Sequence, residues 1–180
     1  NIVLLKQDLR IVSLISSGTE IACRLGLQPN LVGISHECDY PAGIEKLPRL
    51  SRPKINPNLT SGEIHNQVMD LIQKGLSIYE IDTDLLEKLK PDLIITQDQC
   101  EVCAVSLKDV ESAVCQITKK ETAVCSLKPH CLDDIVSDIR RVARFTGTHK
   151  KAEELATQFW IELNAINARA GTASASSPRI

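Results

Sequence analysis

Four short apolar runs rich in β-branched residues, at 11–15, 31–34, 93–96 and 122–127, constrain the fold most strongly. They are apolar at nearly every position instead of at alternate ones, so both faces of each strand have to be buried. Parallel strands covered by helices on both sides read this way. Helical patterns fall between the runs. Ser17 with Glu20 has the spacing of a capping box, and Gly26 can close that helix in the left-handed conformation. Thr60 with Glu63 repeats the spacing, and the stripe Ile64, Val68, Leu71 and Ile72 follows, with Gly75 as its stop. Asp82 or Thr83 opens a shorter helix through Leu85, Leu86 and Leu89, which Pro91 ends. Ser106 with Asp109 opens another, and Leu132, Ile135, Val136, Ile139 and Val142 form a further stripe ending at Gly147. Strand alternating with helix predicts an α/β lobe: a parallel sheet of about four strands with flanking helices.

The longest helical pattern covers residues 149–170, where Ala152, Leu155, Ala156, Phe159, Leu163 and Ile166 recur every three or four positions. At 1.5 Å per residue it is roughly 30 Å long. The segment 171–177 is small and polar, with the composition of a flexible linker. The expected organisation is therefore an α/β lobe over 1–147, a long helix over 148–170 and a linker from 171 to 180. A chain of 180 residues with 43% hydrophobic content can bury a sizeable core. Its net charge of -2 supplies no basic field for nucleic acid or an anionic membrane, and 3% aromatic content leaves no base-stacking platform. No apolar run is long enough to cross a bilayer, and residues 1–10 lack the layout of a secretion signal. Seven cysteines, an odd number, argue against a disulfide framework. The compartment expected from these features is the cytoplasm or another reducing space, with the periplasm reached only if an upstream signal has been removed.

In an open parallel sheet, ligands bind beyond the carboxyl ends of the strands. Ser16, Ser17 and Gly18 follow the first run, residues 35–40 the second, 97–103 the third and 128–131 the fourth. The sharpest feature on this edge is the pair of segments 36–41 and 97–103. Thiolates and imidazole bind zinc or iron tetrahedrally, and a Cys-x-x-Cys turn lets two sulfurs share one ion, so His36, Cys38, Cys100 and Cys103 would complete a zinc or iron site. Two other readings stand beside it. Cys100 and Cys103 could form a redox disulfide, or the thiols could simply pack a tight strand-to-helix turn. Cys23, Cys115 and Cys125 read as core residues, and His65 and His149 as solvated. His130 and Cys131 lie at the fourth strand end, where they could approach the His36, Cys38, Cys100 and Cys103 cluster, although a capping or surface role fits them better. The helix start at 16–20 can hold an anion on its backbone N–H groups or be a plain cap. Asp133 and Asp134 suit a helix start through the dipole. Neither a dinucleotide glycine fingerprint, a P-loop nor a nucleophile elbow is present.

Three segments carry a family likeness: Arg10-Ile11-Val12-Ser13-Leu14 with Thr19-Glu20-Ile21, Leu31-Val32-Gly33-Ile34-Ser35 with Asp39-Tyr40-Pro41, and Leu89-Lys90-Pro91-Asp92-Leu93-Ile94-Ile95. Together they resemble the N-terminal lobe of the periplasmic-binding-protein-like family that carries cobalamin, iron-siderophore or haem to ABC importers, and within it a cysteine-bearing branch. The resemblance covers most of residues 10–170. It implies two α/β lobes joined by one long helix, here 149–170, with Pro178-Arg179-Ile180 opening a missing second lobe. It also implies a small-molecule ligand held between the lobes without catalysis, and an ABC permease as partner. Ser17 and Tyr40 would face that ligand, and Gln97, at the third strand end, is grouped with them. The chain departs from importer-bound members in lacking an export signal, in adding the helix 61–75 and in carrying His36, Cys38, Cys100 and Cys103 at the edge. A thiol-based metal or redox protein using Cys38, Cys100 and Cys103 is the alternative.

Overall fold

The computed structural model describes residues 8–74, 78–98, 107–117 and 122–172. In chain order its elements are β1 (Ile11–Ser13), α1 (Ser16–Arg24), β2 (Leu31–Ile34), β3 (Ser51–Pro53), α2 (Ser61–Gln73), β4 (Tyr79–Ile81), α3 (Thr83–Leu89), β5 (Leu93–Gln97), α4 (Leu107–Ile117), β6 (Ala123–Leu127), α5 (Leu132–Thr146) and α6 (His149–Thr172). The four strands read from the apolar runs make one parallel sheet in the order β2-β1-β5-β6.

Burial on both sides follows from the uninterrupted apolar character of these strands. On one face Ile11, Leu93, Ile95, Cys125 and Leu127 meet Ala22 of α1 and Leu25 at its C-cap, Ile139, Val142 and Ala143 of α5, and Ala152 of α6. On the other, Val12, Leu14 and Ile94 meet Leu50, Leu86 of α3, and Val110 and Ala113 of α4. Each fully buried Ile or Leu contributes about 1.5–3 kcal/mol. The sheet is the part of the lobe with the deepest apolar burial, and it fixes where the strand ends stand.

Where the described residues reach them, helix termini follow the sequence signals with one exception. Thr60 and Glu63 form the expected reciprocal box, the Thr60 N–H donating to Glu63 Oε2 at 3.0 Å and the Glu63 N–H to Thr60 Oγ1 at 3.5 Å. Asp82 caps α3 by accepting from the Leu85 N–H at 2.9 Å. Gly26 and Gly147 take the left-handed conformation after α1 and α5, at φ 80° and 71°. The Ser17–Glu20 box does not form, because α1 starts two residues early: Ile15 is its N-cap, without a side-chain cap, and Ser17 already lies inside the first turn. Gly18 lets that turn lie against the sheet, since a Cβ there would stand 2.6 Å from Ile95 Cγ2.

The antiparallel ribbon β3–β4, paired Ser51↔Ile81, Arg52↔Glu80 and Pro53↔Tyr79, is absent from the sequence reading. Its three-residue strands contain Arg, Pro and Glu and give no apolar run. Residues leading into β3 extend the sheet edge: the Ile34 N–H donates to the Pro48 carbonyl at 2.9 Å and the Leu50 N–H to the Ile34 carbonyl at 2.8 Å. At 24 residues, α6 is about 36 Å long. Its first half packs on α5 through the buried Ala152 and Ala156 and a bidentate Arg140–Glu153 pair at 2.7 and 2.8 Å. Its second half leaves Ile161 and Ile166 exposed.

Candidate ligand-binding edge

The four parallel strands end together at Ser13, Ile34, Gln97 and Leu127. Ser16 Oγ donates to the Glu37 carbonyl at 3.1 Å, which ties the start of α1 to the turn after β2. Ser17 is exposed beside this link. Tyr40, 54% exposed, stands at the end of the same turn, joined to Pro41 by a cis peptide bond. Gln97 is buried at the last position of β5. Next to it Asp98 pairs with Lys128 across the ends of β5 and β6. Beneath them Thr96 and Ser126, direct register partners, have buried hydroxyl oxygens without a hydrogen-bond partner among the described residues.

The turn after β2 carries a network that the sequence reading missed. The Arg49 guanidinium donates from Nη1 to the carbonyls of Ser35, His36 and Cys38 at 3.3, 2.6 and 3.2 Å. Ser51 Oγ lies 3.0 Å from Ser35 Oγ, accepts from the His36 N–H at 3.1 Å and lies 2.8 Å from His36 Nδ1. The His36 ring stacks at a tilt on Tyr79, with centroids 5.2 Å apart. The Tyr79 hydroxyl donates to Glu37 Oε1 at 3.3 Å, and His36 Nε2 lies 4.0 Å from the same oxygen. Burial lowers the His36 pKa below its ordinary 6.5; Glu37 opposes that shift and Arg49 adds to it. Glu37 lies within the segment singled out from sequence. Arg49 arrives on the segment leading into β3, Ser51 on β3 and Tyr79 on β4, and none of these had a pattern to announce it.

The sequence-derived metal ligands are placed unequally. His36 presents its imidazole to Ser51, Tyr79 and Glu37. Cys38 is 1% exposed, and its Sγ points into the core, 3.1 Å from Thr19 Oγ1. Cys100 and Cys103 lie outside the described residues, as do the side chain of Cys115 and the caps at Ser106 and Gly75. Among the described residues, no three His, Cys, Asp or Glu side chains converge as a metal site would require. Cys125 is in the core as expected, and burial pushes its thiol up to about 12. His65 and His149 are exposed.

The turn after β6 is held by carboxylates. Asp138 of α5, 2% exposed, accepts from the Lys128 N–H at 3.2 Å and pairs with Arg141, which also donates to the Ser126 carbonyl at 3.0 Å. Burial raises the Asp138 pKa, with the Lys128 N–H and Arg141 acting against it. Asp134 Oδ2 accepts from the backbone N–H groups of His130 and Cys131 at 2.9 and 3.1 Å and from the exposed Cys131 thiol at 3.4 Å. These bonds hold its carboxyl below the usual range. Asp134 thus caps α5 through the backbone of His130 and Cys131, which places those two at the cap and Asp134 at the helix start where the dipole reading put it.

The family described as Periplasmic binding protein matches residues 11–180. The uncharacterized ABC transporter substrate-binding lipoprotein YvrC of Bacillus subtilis is 24% identical over 170 residues, covering 94% of this chain and 44% of the relative. The periplasmic haem-binding protein HutB of Vibrio cholerae superposes with a TM-score of 0.62 at 20% identity, covering 90% of this chain and 50% of that one. The periplasmic vitamin B12-binding protein BtuF of the same organism does so with a TM-score of 0.60 at 22% identity, covering 92% and 51%. The chain therefore spans about half the length of the relatives it matches. Among the described residues no helix is long and apolar enough to cross a membrane. One expectation is overturned. A periplasmic family and a lipoprotein relative place such proteins outside the cytoplasm, so the reducing compartment inferred from an odd cysteine count does not hold. An odd number excludes complete pairing but says nothing against a single pair. The binding module without catalysis read from the sequence agrees with a family of binding proteins, and with the parallel sheet, its shared strand-end edge and the match over 11–180, the chain belongs to the periplasmic binding protein family.

Proposed function

We propose that this chain forms one wall of the ligand cleft of an ABC-import substrate-binding protein, and that the ligand is a large flat chelate: a corrinoid such as cobalamin, haem or an iron chelate. The observation that carries the reading is Tyr40, a large aromatic side chain left 54% exposed on the strand-end edge, with the exposed Ser17 at the neighbouring helix start. An aromatic ring supplies much apolar contact at little entropy cost, and a hydroxyl beside it can orient a polar substituent. Gln97 would contribute from the floor of the edge. A second lobe, joined through α6, would close over the ligand, and an ABC permease would receive it. The fold shared with HutB and BtuF supports a cleft at this edge, and the half-length match supports a second wall.

Titration of this chain extended by its second lobe with cobalamin, haem and ferric siderophores tests the reading. Saturable binding of one ligand class is expected, weakened about tenfold or more by Tyr40→Ala, the loss of one well-packed aromatic contact. The chain of residues 1–180 alone should bind far more weakly, since closed sites bury roughly 70–90% of their ligand. An extended protein that binds none of the three would sink the proposal.

A further inference from the structure

Behind the candidate edge, Cys38 lies against the face of α1 that also carries Cys23, a neighbourhood that the cluster reading did not foresee. Cys23 follows Thr19 by one turn of α1, so the two side chains share a helix face with Cβ atoms about 5–6 Å apart. Thr19 Oγ1 is 3.1 Å from Cys38 Sγ. Cys23 also packs against the same buried cluster that contains Cys38. We propose that Cys23 and Cys38 form an intramolecular disulfide when the protein meets an oxidising compartment, fastening α1 to the turn that carries His36 and Tyr40. For closure, Cys38 Sγ leaves the Thr19 hydroxyl and turns along α1 toward Cys23.

The chemistry needs a disulfide oxidant, either a small-molecule disulfide or a protein dithiol–disulfide. Cys23 is half-buried and Cys38 is buried, so Cys23 is the point of entry. Its thiolate attacks one sulfur of the oxidant and expels a thiolate. The Cys38 thiolate then attacks the Cys23 sulfur of the mixed disulfide and expels the second. Two electrons and two protons pass from the cysteine pair to the oxidant, which leaves as two thiols. Burial first, then charge on Cys38 and on Glu20, raises the Cys23 pKa, so the first attack quickens toward alkaline pH. The ring closed by the bond contains residues 24–37, a short loop whose restriction in the unfolded chain favours the folded state. The proposal rests on the family's compartment and on the packing of α1, and does not depend on which ligand binds.

The test uses the full chain, reduced, desalted and incubated with oxidised glutathione at mildly alkaline pH. After alkylation and tryptic digestion without reductant, cleavage at Arg24 puts the two cysteines on separate peptides, 11–24 and 25–46. These two peptides are expected as one linked species, together with a rise in Tm on the order of 5–10 °C. Cys23→Ser, a half-buried position that tolerates the change, should abolish both effects. Peptides that remain separate while Cys131 becomes glutathionylated, or that link only in denaturant, would overturn the proposal.

Discussion

The turn after β2 and the turn after β6 leave the same edge of one sheet, yet different groups hold them. After β2 the backbone carbonyls are the acceptors, gathered by the Arg49 guanidinium, and the network is completed by the turn's own His36 imidazole against the Ser51 hydroxyl and the Tyr79 ring of the β3–β4 ribbon. After β6 the backbone N–H groups are the donors, and Asp134 and Asp138 of the following helix collect them. The second arrangement is local: the carboxylates that hold its backbone N–H groups both come from the helix that follows β6, while the Lys128–Asp98 pair reaches the neighbouring strand end. The first spans residues 35–79 and depends on a ribbon with few apolar residues of its own. A turn held by distant, half-buried groups has more ways to respond to pH or to a ligand than one held by its own helix cap.

Breaking the β6 side should cost most. Asp138→Ala removes the acceptor of the Lys128 N–H and takes the carboxylate from Arg141, and a urea-melt loss of about 3 kcal/mol is expected, the low end for a broken buried pair because Arg141 is partly solvated and keeps its bond to the Ser126 carbonyl. Asp138→Asn, which keeps an acceptor, should lose less. On the β2 side Arg49→Ala releases three carbonyls that water can reach in part, and about 1–2 kcal/mol is expected by the same melt. If Arg49→Ala cost as much as Asp138→Ala, the contrast between a local and a borrowed scaffold would fail. Asp134→Ala should have a smaller effect, confined to the first turn of α5 and read as faster amide exchange there, since that cap is solvent-exposed.

The smallest effect expected is also the most diagnostic of the β2 side. Burial sets the His36 pKa below 6.5 in the folded protein, so as pH falls through 6.5 the unfolded chain takes up the proton first and stability declines. The decline ends once pH drops below the folded value. Urea melts between neutral and mildly acidic pH should show this slope in the wild type and a shallower one in His36→Gln. Equal slopes would mean that the imidazole is as well solvated as in the unfolded chain.

The sheet was legible because its strands are buried on both faces, which forces apolar residues at successive positions from Ile11 to Val12 and from Leu93 to Ile95. Gly26, Gly147 and the Thr60–Glu63 pair were legible because each reports a local backbone need. The ribbon was not: Ser51, Arg52 and Pro53 form a strand because Ile81, Glu80 and Tyr79 lie opposite, a long-range circumstance without a local mark. The edge was found by the strand-end rule, which brought together Ser17 and the turn after β2. Side-chain direction lay beyond that rule. Spacing grouped Cys38 with His36, but the two side chains leave the turn in opposite senses, one toward Thr19 and the other toward Tyr79. Ser17 with Glu20 shows the converse, a correct motif on paper displaced by two residues when the chain turned into α1 at Ile15.

The sheet order also fixes the sequence of events during synthesis. β1 lies between β2 and β5, and its pairing with β5 joins Ile11 to Leu93, with the Arg10 N–H donating to the Asp92 carboxylate at 3.1 Å across the same span. β1 and β2 can pair soon after they leave the ribosome, but the other edge of β1 stays open until residues 93–97 have been made. Such long-range closure slows folding and leaves an apolar strand edge unprotected meanwhile. A nascent chain halted before β5 is thus a half-built sheet with its central seam exposed, and the lobe becomes a folding unit only once β5 closes that seam.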